Sequence, residues 1–196
     1  MENDIFDYEI NDDGNITITG ITDEGSKLTE LVIPSEIDGK KVTRIDEYAF
    51  EFCESLESVM IPNGVSIIDR FAFSDCTSLK SLLMPDTVKE IGNHAFSKCI
   101  SLKEVTIPNS VTTIEYHAFS DCITLEKVTI PDSVTTIRDG AFFGCAALKE
   151  VIIPDSVATI ERFAFGFCTA LEEVIIPNSV TIGYHAFPSE CEVIYS

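Results

Sequence analysis

Seven Ala-Phe pairs begin at residues 49, 72, 95, 118, 141, 164 and 186, so the interval is 23 residues until the last step, where it is 22. That step is short because "NSVTIGYHAF" has one residue fewer than the earlier "NSVTTIEYHAF". A fixed period in the twenties constrains folding more than composition does. A unit this small cannot bury its apolar face alone and must bury it against the units before and after it, which makes a solenoid.

Each unit reads L-x-x-V-x-I-P-[ND]-x-V-x-x-I-x-x-x-A-F-x-x-C-x-x. Its strand is clearest in "LKEVTIP" (102–108), "LEKVTIP" (125–131) and "LKEVIIP" (148–154). Alternation at Val105/Ile107, Val128/Ile130 and Val151/Ile153 turns one row of side chains inward. A proline closes every strand (Pro34, Pro62, Pro85, Pro108, Pro131, Pro154, Pro177), because it brings no N–H to a ladder. The "VxxI" segment is expected to form a second extended wall and "AFxxC" a tight helical turn. Residues 1–27 read as a hairpin, with Phe6, Tyr8 and Ile10 on one strand, Ile16 and Ile18 on the other, and "DDGN" as the turn. This hairpin is expected to cap residues 28–196, the solenoid proper, and the insert "EIDGKK" to form an exposed loop around Gly39.

Composition narrows the class. The chain is 196 residues long and 45% hydrophobic, enough for one domain with a core and too much for wholesale disorder. No apolar run approaches the roughly 20 residues of a membrane helix. With 13 basic and 33 acidic residues the formal charge is −20. That surface repels phosphate backbones and anionic membranes, so neither nucleic acid nor membrane insertion is expected. The opening "MENDIFDYEI" is acidic and interrupted, unlike a secretory signal, which leaves Met1 either as an intracellular start or as a residue exposed by removal of a leader.

The residues that usually carry chemistry fall into repeat slots. Cys53, Cys76, Cys99, Cys122, Cys145, Cys168 and Cys191 recur every 23 residues, which spreads thiols along a line, whereas a metal needs them to converge. They are expected to form a reduced, buried file, since free cysteine packs as a small hydrophobe. His94, His117 and His185 share a slot with Tyr48, Phe71, Gly140 and Phe163, which reads as an exposed, variable position. Ser110, Ser133, Ser156 and Ser179 occupy one turn slot and read as structural. No nucleophile elbow, phosphate loop or zinc-binding helix motif is present, so no catalytic residue, metal or cofactor is expected.

The string "IPNSVTTIEYHAFSDCITLEKVTIP" (107–131) resembles the BspA-like, Treponema-type leucine-rich repeats of bacterial surface proteins. The entry segment "FDYEINDDGNITITGI", followed by "IPSEIDGKKVTRIDEYAF", fits the same family, so the resemblance covers almost the whole chain. It implies a β-rich, right-handed leucine-rich-repeat solenoid that binds protein partners, in adhesion at a cell surface or after secretion. Cysteine lies three residues before the strand leucine, unlike the general leucine-rich pattern, so no outer helix is expected.

On such strands two columns point outward on the concave sheet. One is Glu30, Ser58, Ser81, Glu104, Lys127, Glu150 and Glu173, and the other is Val32, Met60, Leu83, Thr106, Thr129, Ile152 and Ile175. The second is largely aliphatic where water is expected, a mark of binding surfaces, although strand propensity alone favours the same residues. The expected contact set is Met60, Leu83, Glu104, Thr106, Lys127, Thr129, Glu150, Ile152, Glu173 and Ile175. Beside it, Glu57, Lys80, Lys103, Glu126, Lys149 and Glu172 form a charged column suited to lateral pairs. Phe52, Phe71, Phe143, Phe163 and Phe167 lie outside the repeated phenylalanine spine. The last strand, "CEVIYS" (191–196), ends without a polar cap, so the expected state is a monomer or a weak homodimer through that edge.

Overall fold

The computed structural model describes residues 5–196, and Met1–Asp4, part of the expected cap, lie outside the described residues. The chain winds into a β-solenoid of about eight turns of ~23 residues. Each turn has three walls. The first is the strand wall expected to be concave, for example Glu104–Thr106, paired in parallel with Lys127–Thr129 of the next turn. A β-turn follows, in which Val111 N–H donates to the Pro108 carbonyl at 3.0 Å. The second wall is the "VxxI" strand, where Thr113 and Ile114 lie beside Thr136 and Ile137, which lie beside Thr159 and Ile160. The third is the corner carrying Ala-Phe.

Inward positions stack into columns. Phe50, Phe73, Phe96, Phe119, Phe142 and Phe165 are fully buried, and successive rings lie nearly parallel with centroids 4.9–5.6 Å apart. That spacing is set by the separation of hydrogen-bonded strands, which brings equivalent side chains of adjacent turns into contact. Columns of Val, Ile, Leu and Ala fill the remaining core.

The corner is not the helical turn that the sequence led us to expect. Within it, Ala95 N–H donates to Gly92, Ser97 to His94 and Cys99 to Phe96, each three residues back. The intervening amides point along the solenoid axis: His94 donates to Tyr116 at 2.9 Å, Phe96 to Ala118 at 2.8 Å and Lys98 to Ser120 at 2.7 Å. Two left-handed residues per corner produce this alternation, at φ 57 for His94 and φ 58 for Lys98. A helix would keep all these amides for itself, whereas the alternating backbone shares half of them with the next turn. The corners therefore bond where the strands do not. Among the described residues, no strand pairing joins Ser81–Leu83 to Glu104–Thr106 or Glu90–Ile91 to Thr113–Ile114. That step is held by its corner and by Asn109, whose backbone and side-chain N–H groups both donate to Asp86.

The first end is closed. Strands β1 (Phe6–Ile10) and β2 (Ile16–Ile21) form an antiparallel hairpin, and β2 continues in parallel onto Lys40–Ile45 of the "VxxI" wall. The Phe6 ring meets Phe50 edge-on at 6.4 Å and ends the phenylalanine spine. An irregularity between Asp7 and Tyr8 breaks the simple alternation, so Phe6 is buried while Tyr8 and Ile10 face water. The "EIDGKK" insert is exposed at Asp38 and Gly39, as expected, and closes as a tight two-residue hairpin. Asp38 and Gly39 take φ 51 and 74, and Ile37 is buried.

Candidate protein-binding face

All ten residues of the expected contact set lie exposed on the concave wall. The strands place them there by alternation, since Val105, Val128, Val151 and Val174 between them are buried. The aliphatic members are far from marginal in exposure: Ile152 is 72% accessible, Leu83 57% and Met60 47%. Around Lys127, Thr129, Ile130, Glu150 and Ile152 the wall opens into a depression of about 340 Å³. The rung that carries it is loosely held, touching its neighbours through one bridge on each side, Lys127 to Glu150 and Ile152 to Ile175. In the flanking charged column, Lys80 pairs with Glu57 at 2.9 Å and Lys149 with Glu126 at 3.6 Å. These pairs are solvated and contribute about 0–1 kcal/mol each.

A second set of ion pairs, which the repeat pattern did not reveal, lines the entrance to the corners. Arg44 meets Asp69, Arg70 meets Glu47, Arg162 meets Asp139, and Arg138 meets Glu161 at 2.8 Å. The Arg138 guanidinium also lies 5.5 Å from the Tyr116 ring centroid. For the last three pairs the signal in the sequence was acid and base alternating between adjacent copies of the two slots before the residue that precedes Ala-Phe, whereas Arg44 lies two residues ahead of those slots.

The histidine slot departs from the sequence reading in part. His185 and Tyr48 are exposed as expected, whereas His94 and His117 are half-buried, inside a file of flat rings on the outer face. Tyr48 stacks on Phe71 at 5.2 Å, Phe71 on His94 at 4.7 Å and His94 on His117 at 4.9 Å. Burial first, then the charges of His117 and Lys98, hold the His94 imidazole below the usual histidine range. Gly140 interrupts the file because the His117 ring occupies the space where its Cβ would stand. Of the extra phenylalanines, Phe71, Phe143 and Phe163 are half-buried between turns, while Phe52 and Phe167 are exposed.

Six cysteines form the expected buried file. From Cys76 to Cys168 each donates its S–H to a phenylalanine carbonyl of the preceding turn, as Cys122 does to Phe96 and Cys145 to Phe119, both at 3.2 Å. For Cys53 the equivalent acceptor lies outside the repeat, and its contribution is burial alone. Cys191 is a correction. The deleted residue before the last Ala-Phe moves it one position out of the slot, and it is half-buried, its S–H donating to the Glu192 carbonyl at 3.9 Å. Burial pushes the Cys53 thiol up to about 11 and the Cys122 thiol to about 12. Both are therefore poor nucleophiles at neutral pH. A thiol-specific disulfide reagent should modify at most Cys191 in the native protein and all seven cysteines in denaturant. Rapid native reaction of more than one thiol would contradict the packed file. Among the described residues, no group of three or more His, Cys, Asp or Glu side chains is placed to hold a metal, and no helix is long and apolar enough to cross a membrane.

Comparison with known proteins agrees with this geometry. The model of the BspA type leucine rich repeat region matches six copies, over residues 23–149 and 89–195. A leucine-rich-repeat protein from T. pallidum is 33% identical over 97% of this chain and 84% of its own, with a TM-score of 0.80. One from Eubacterium ventriosum is 26% identical over 96% of this chain and 50% of its own, at 0.79. One from Bacteroides ovatus is 28% identical over 98% and 70%, at 0.63. No curated protein matches. Seven Ala-Phe corners, a hairpin over the first turn and a strand wall of outward aliphatic residues thus have one common explanation: the chain belongs to the BspA-type leucine-rich-repeat family.

Proposed function

We propose that the chain is a non-enzymatic protein-binding module, acting in adhesion or recognition at a cell surface or after secretion, with its concave sheet as the platform. A protein-interaction role is what the repeat family suggests. The observation that carries the concave assignment is the exposed aliphatic column Val32, Met60, Leu83, Ile152 and Ile175 on a chain of charge −20. A surface this acidic has no need of apolar side chains for solubility, and exposed apolar patches mark contact sites. The preformed strands supply a rigid array, so little conformational entropy is lost on binding. Charged residues at Glu104, Lys127, Glu150 and Glu173 rim the column and set orientation.

The double variant Thr129→Arg/Ile152→Glu tests this. Both positions are exposed, so the melting temperature should stay within a degree or two, about what surface changes allow. Capture of host or neighbouring-cell surface proteins by the immobilised chain should be lost. Undiminished capture by the variant would remove the concave face as the site.

A second reading, a self-associating scaffold, rests on the strand Glu192–Tyr195, which is paired on one side only, with Glu173–Ile176. An open edge of this kind invites a second copy. Light scattering that rises with concentration more steeply than for a monomer would favour it.

A further inference from the structure

One step of the solenoid is crossed by neither strand wall, and it carries the chain's one pair of facing imidazoles. Among the described residues, Ser81–Leu83 does not pair with Glu104–Thr106, nor Glu90–Ile91 with Thr113–Ile114. The loss reaches past the strands. At other steps the amide after the strand isoleucine donates to the preceding turn, as Gly92 does to Ile68 and Arg138 to Ile114. Glu115, the equivalent residue here, makes no such bond among the described residues. What holds the step is its corner, with three axial amide bonds, the Phe96–Phe119 stack and the Ser97–Ser120 hydroxyl pair, and the Asn109–Asp86 contact beside the strands. In that same corner the His94 and His117 rings lie 4.9 Å apart, at 8° to each other.

Neutral imidazoles stack like the other flat rings of this file, whereas protonated ones repel. Phe71 covers the outer face of His94 at 4.7 Å, and Gly140 with the edge of Phe143 closes the far side of His117. The charges acting on His94 are those of His117 and Lys98, both cationic, and Lys98 is held by Asp75 at 3.4 Å. In the next turn Arg138 and Asp139 are engaged by Glu161 and Arg162. With burial first and these two cations next, the His94 imidazole sits below the usual histidine range. The native chain therefore binds fewer protons there than the unfolded chain. Its stability is fully present above about pH 6.5 and is lost as the pH falls through the histidine range. Two carboxyls at the joint respond differently. The Asn109 backbone amide, then its side chain, holds Asp86 below the usual carboxylate range, so that contact persists while imidazoles charge. Burial pushes the Glu115 carboxyl up, and its protonation in stronger acid favours the folded form.

We propose that the step from the His94 corner to the His117 corner is an acid-sensitive joint. When both imidazoles take up protons, the two halves of the solenoid part there, while the strand-paired steps on either side stay closed. Two unit charges 4.9 Å apart shift an equilibrium roughly fourfold in bulk water and roughly 300-fold at an effective dielectric of about 20, so about tenfold is expected for half-buried rings. At a strand-paired step the ladders would oppose that repulsion, and here the corner opposes it alone. Met60 and Leu83 lie on one side of the joint and Thr106 and Thr129 on the other, so opening respaces the outward array.

Hydrogen exchange in the full chain, read residue by residue as protection relative to the unstructured chain, tests this. The His94, Phe96 and Lys98 amides bridge the joint, and the Phe73 and Phe119 amides make the same bond one step before and after it. Between about pH 7.5 and about pH 5 the bridging amides should lose about tenfold more protection than Phe73 and Phe119 do. His94→Phe keeps a flat ring without the charge, in a backbone that Phe71 already adopts at φ 58. That variant should retain the protection seen at neutral pH and lose its pH dependence, and His117→Phe should do the same independently. Both variants keep His185, Asp86 and Glu115, so a response that survives in either folded variant overturns the proposal by placing the titration elsewhere. Protection of the bridging amides that does not change with pH overturns it too. So does an equal fall at Phe73 and Phe119, which would mean that acid loosens the whole rod.

Discussion

Replacing Phe119 by alanine should cost about 4 kcal/mol of unfolding free energy, within the range of about 3–5 for a buried phenylalanine, and should split the urea transition in two. The ring is fully buried and lies nearly parallel to Phe96 on one side and Phe142 on the other, at 5.4 and 5.6 Å. Its removal opens a cavity and forfeits two stacked pairs, each contributing about 0.5–1.5 kcal/mol beyond the area buried. Position makes the loss larger. The step from Phe96 to Phe119 is the one at which neither strand wall is paired, so the corner amides and this ring contact carry most of the coupling there. A solenoid's cooperativity is a sum over adjacent interfaces, and weakening the thinnest one should let the two halves melt apart. Phe187→Ala is the control. That ring has one stacked neighbour, Phe165, and sits at the end, so it should cost about half as much and leave a single transition. Equal costs, or a single transition for Phe119→Ala, would show that coupling does not run through the spine.

How much of this was legible depends on which interactions leave a trace in residue type. Inward valines and isoleucines, prolines after each strand and the outward aliphatic column are all dictated by period-2 alternation and by missing N–H groups, and they were readable without a structure. The corner was not. Left-handed backbone normally advertises itself through glycine or asparagine. Here Tyr48, Phe71, His94, His117, Phe163 and His185 adopt it, at φ 52–62. The corners that begin at Tyr48, Phe71, His94 and His117 each make three amide bonds to the next turn, and the corner of Phe163 makes two, enough to hold these residues in place against their local preference. One trace existed. Gly140 and Gly144, four apart in a single copy, mark the two left-handed slots, but one copy in seven is easily read as sequence variation. Cys191 misled for the opposite reason. Its spacing from Cys168 is the repeat length, yet one deletion before the corner and a shortened corner after it shift the register, and only the strand pairing of Val193 with Val174 exposes this. That Met60, Leu83, Ile152 and Ile175 face outward was readable because strand alternation alone decides it.

A second substitution tests how compliant the stack is. Gly92→Val should destabilise the protein by about 2–4 kcal/mol, from overpacking at about 1–3 and the weakening of one buried amide bond at about 1. A Cβ on Gly92 would stand 2.6 Å from the Arg70 nitrogen and 2.8 Å from the Asp69 carbonyl carbon. Those atoms are backbone, so nothing can swing aside; the turns must part. Parting them stretches the bond from Gly92 N–H to the Ile68 carbonyl, now 2.8 Å long. The cost is steric and not conformational, since Gly92 does not take a positive φ. The equivalent slot holds Asp69, Arg138 and Glu161 in other turns with the same amide bond at 2.9, 2.9 and 2.8 Å, so a side chain there is compatible with the fold where the adjoining backbone is already adjusted to it. The measurement therefore decides between two mechanical pictures. If adjacent turns are locked by their corner and strand bonds, the full penalty appears in the urea midpoint. A loss below about 0.5 kcal/mol, the size of an ordinary surface change, would mean that the backbone at Asp69 and Arg70 yields freely to admit the side chain. The unpaired strands on the far side of Gly92, between Glu90–Ile91 and Thr113–Ile114, would then mark a flexible joint rather than the thin point of a rigid rod.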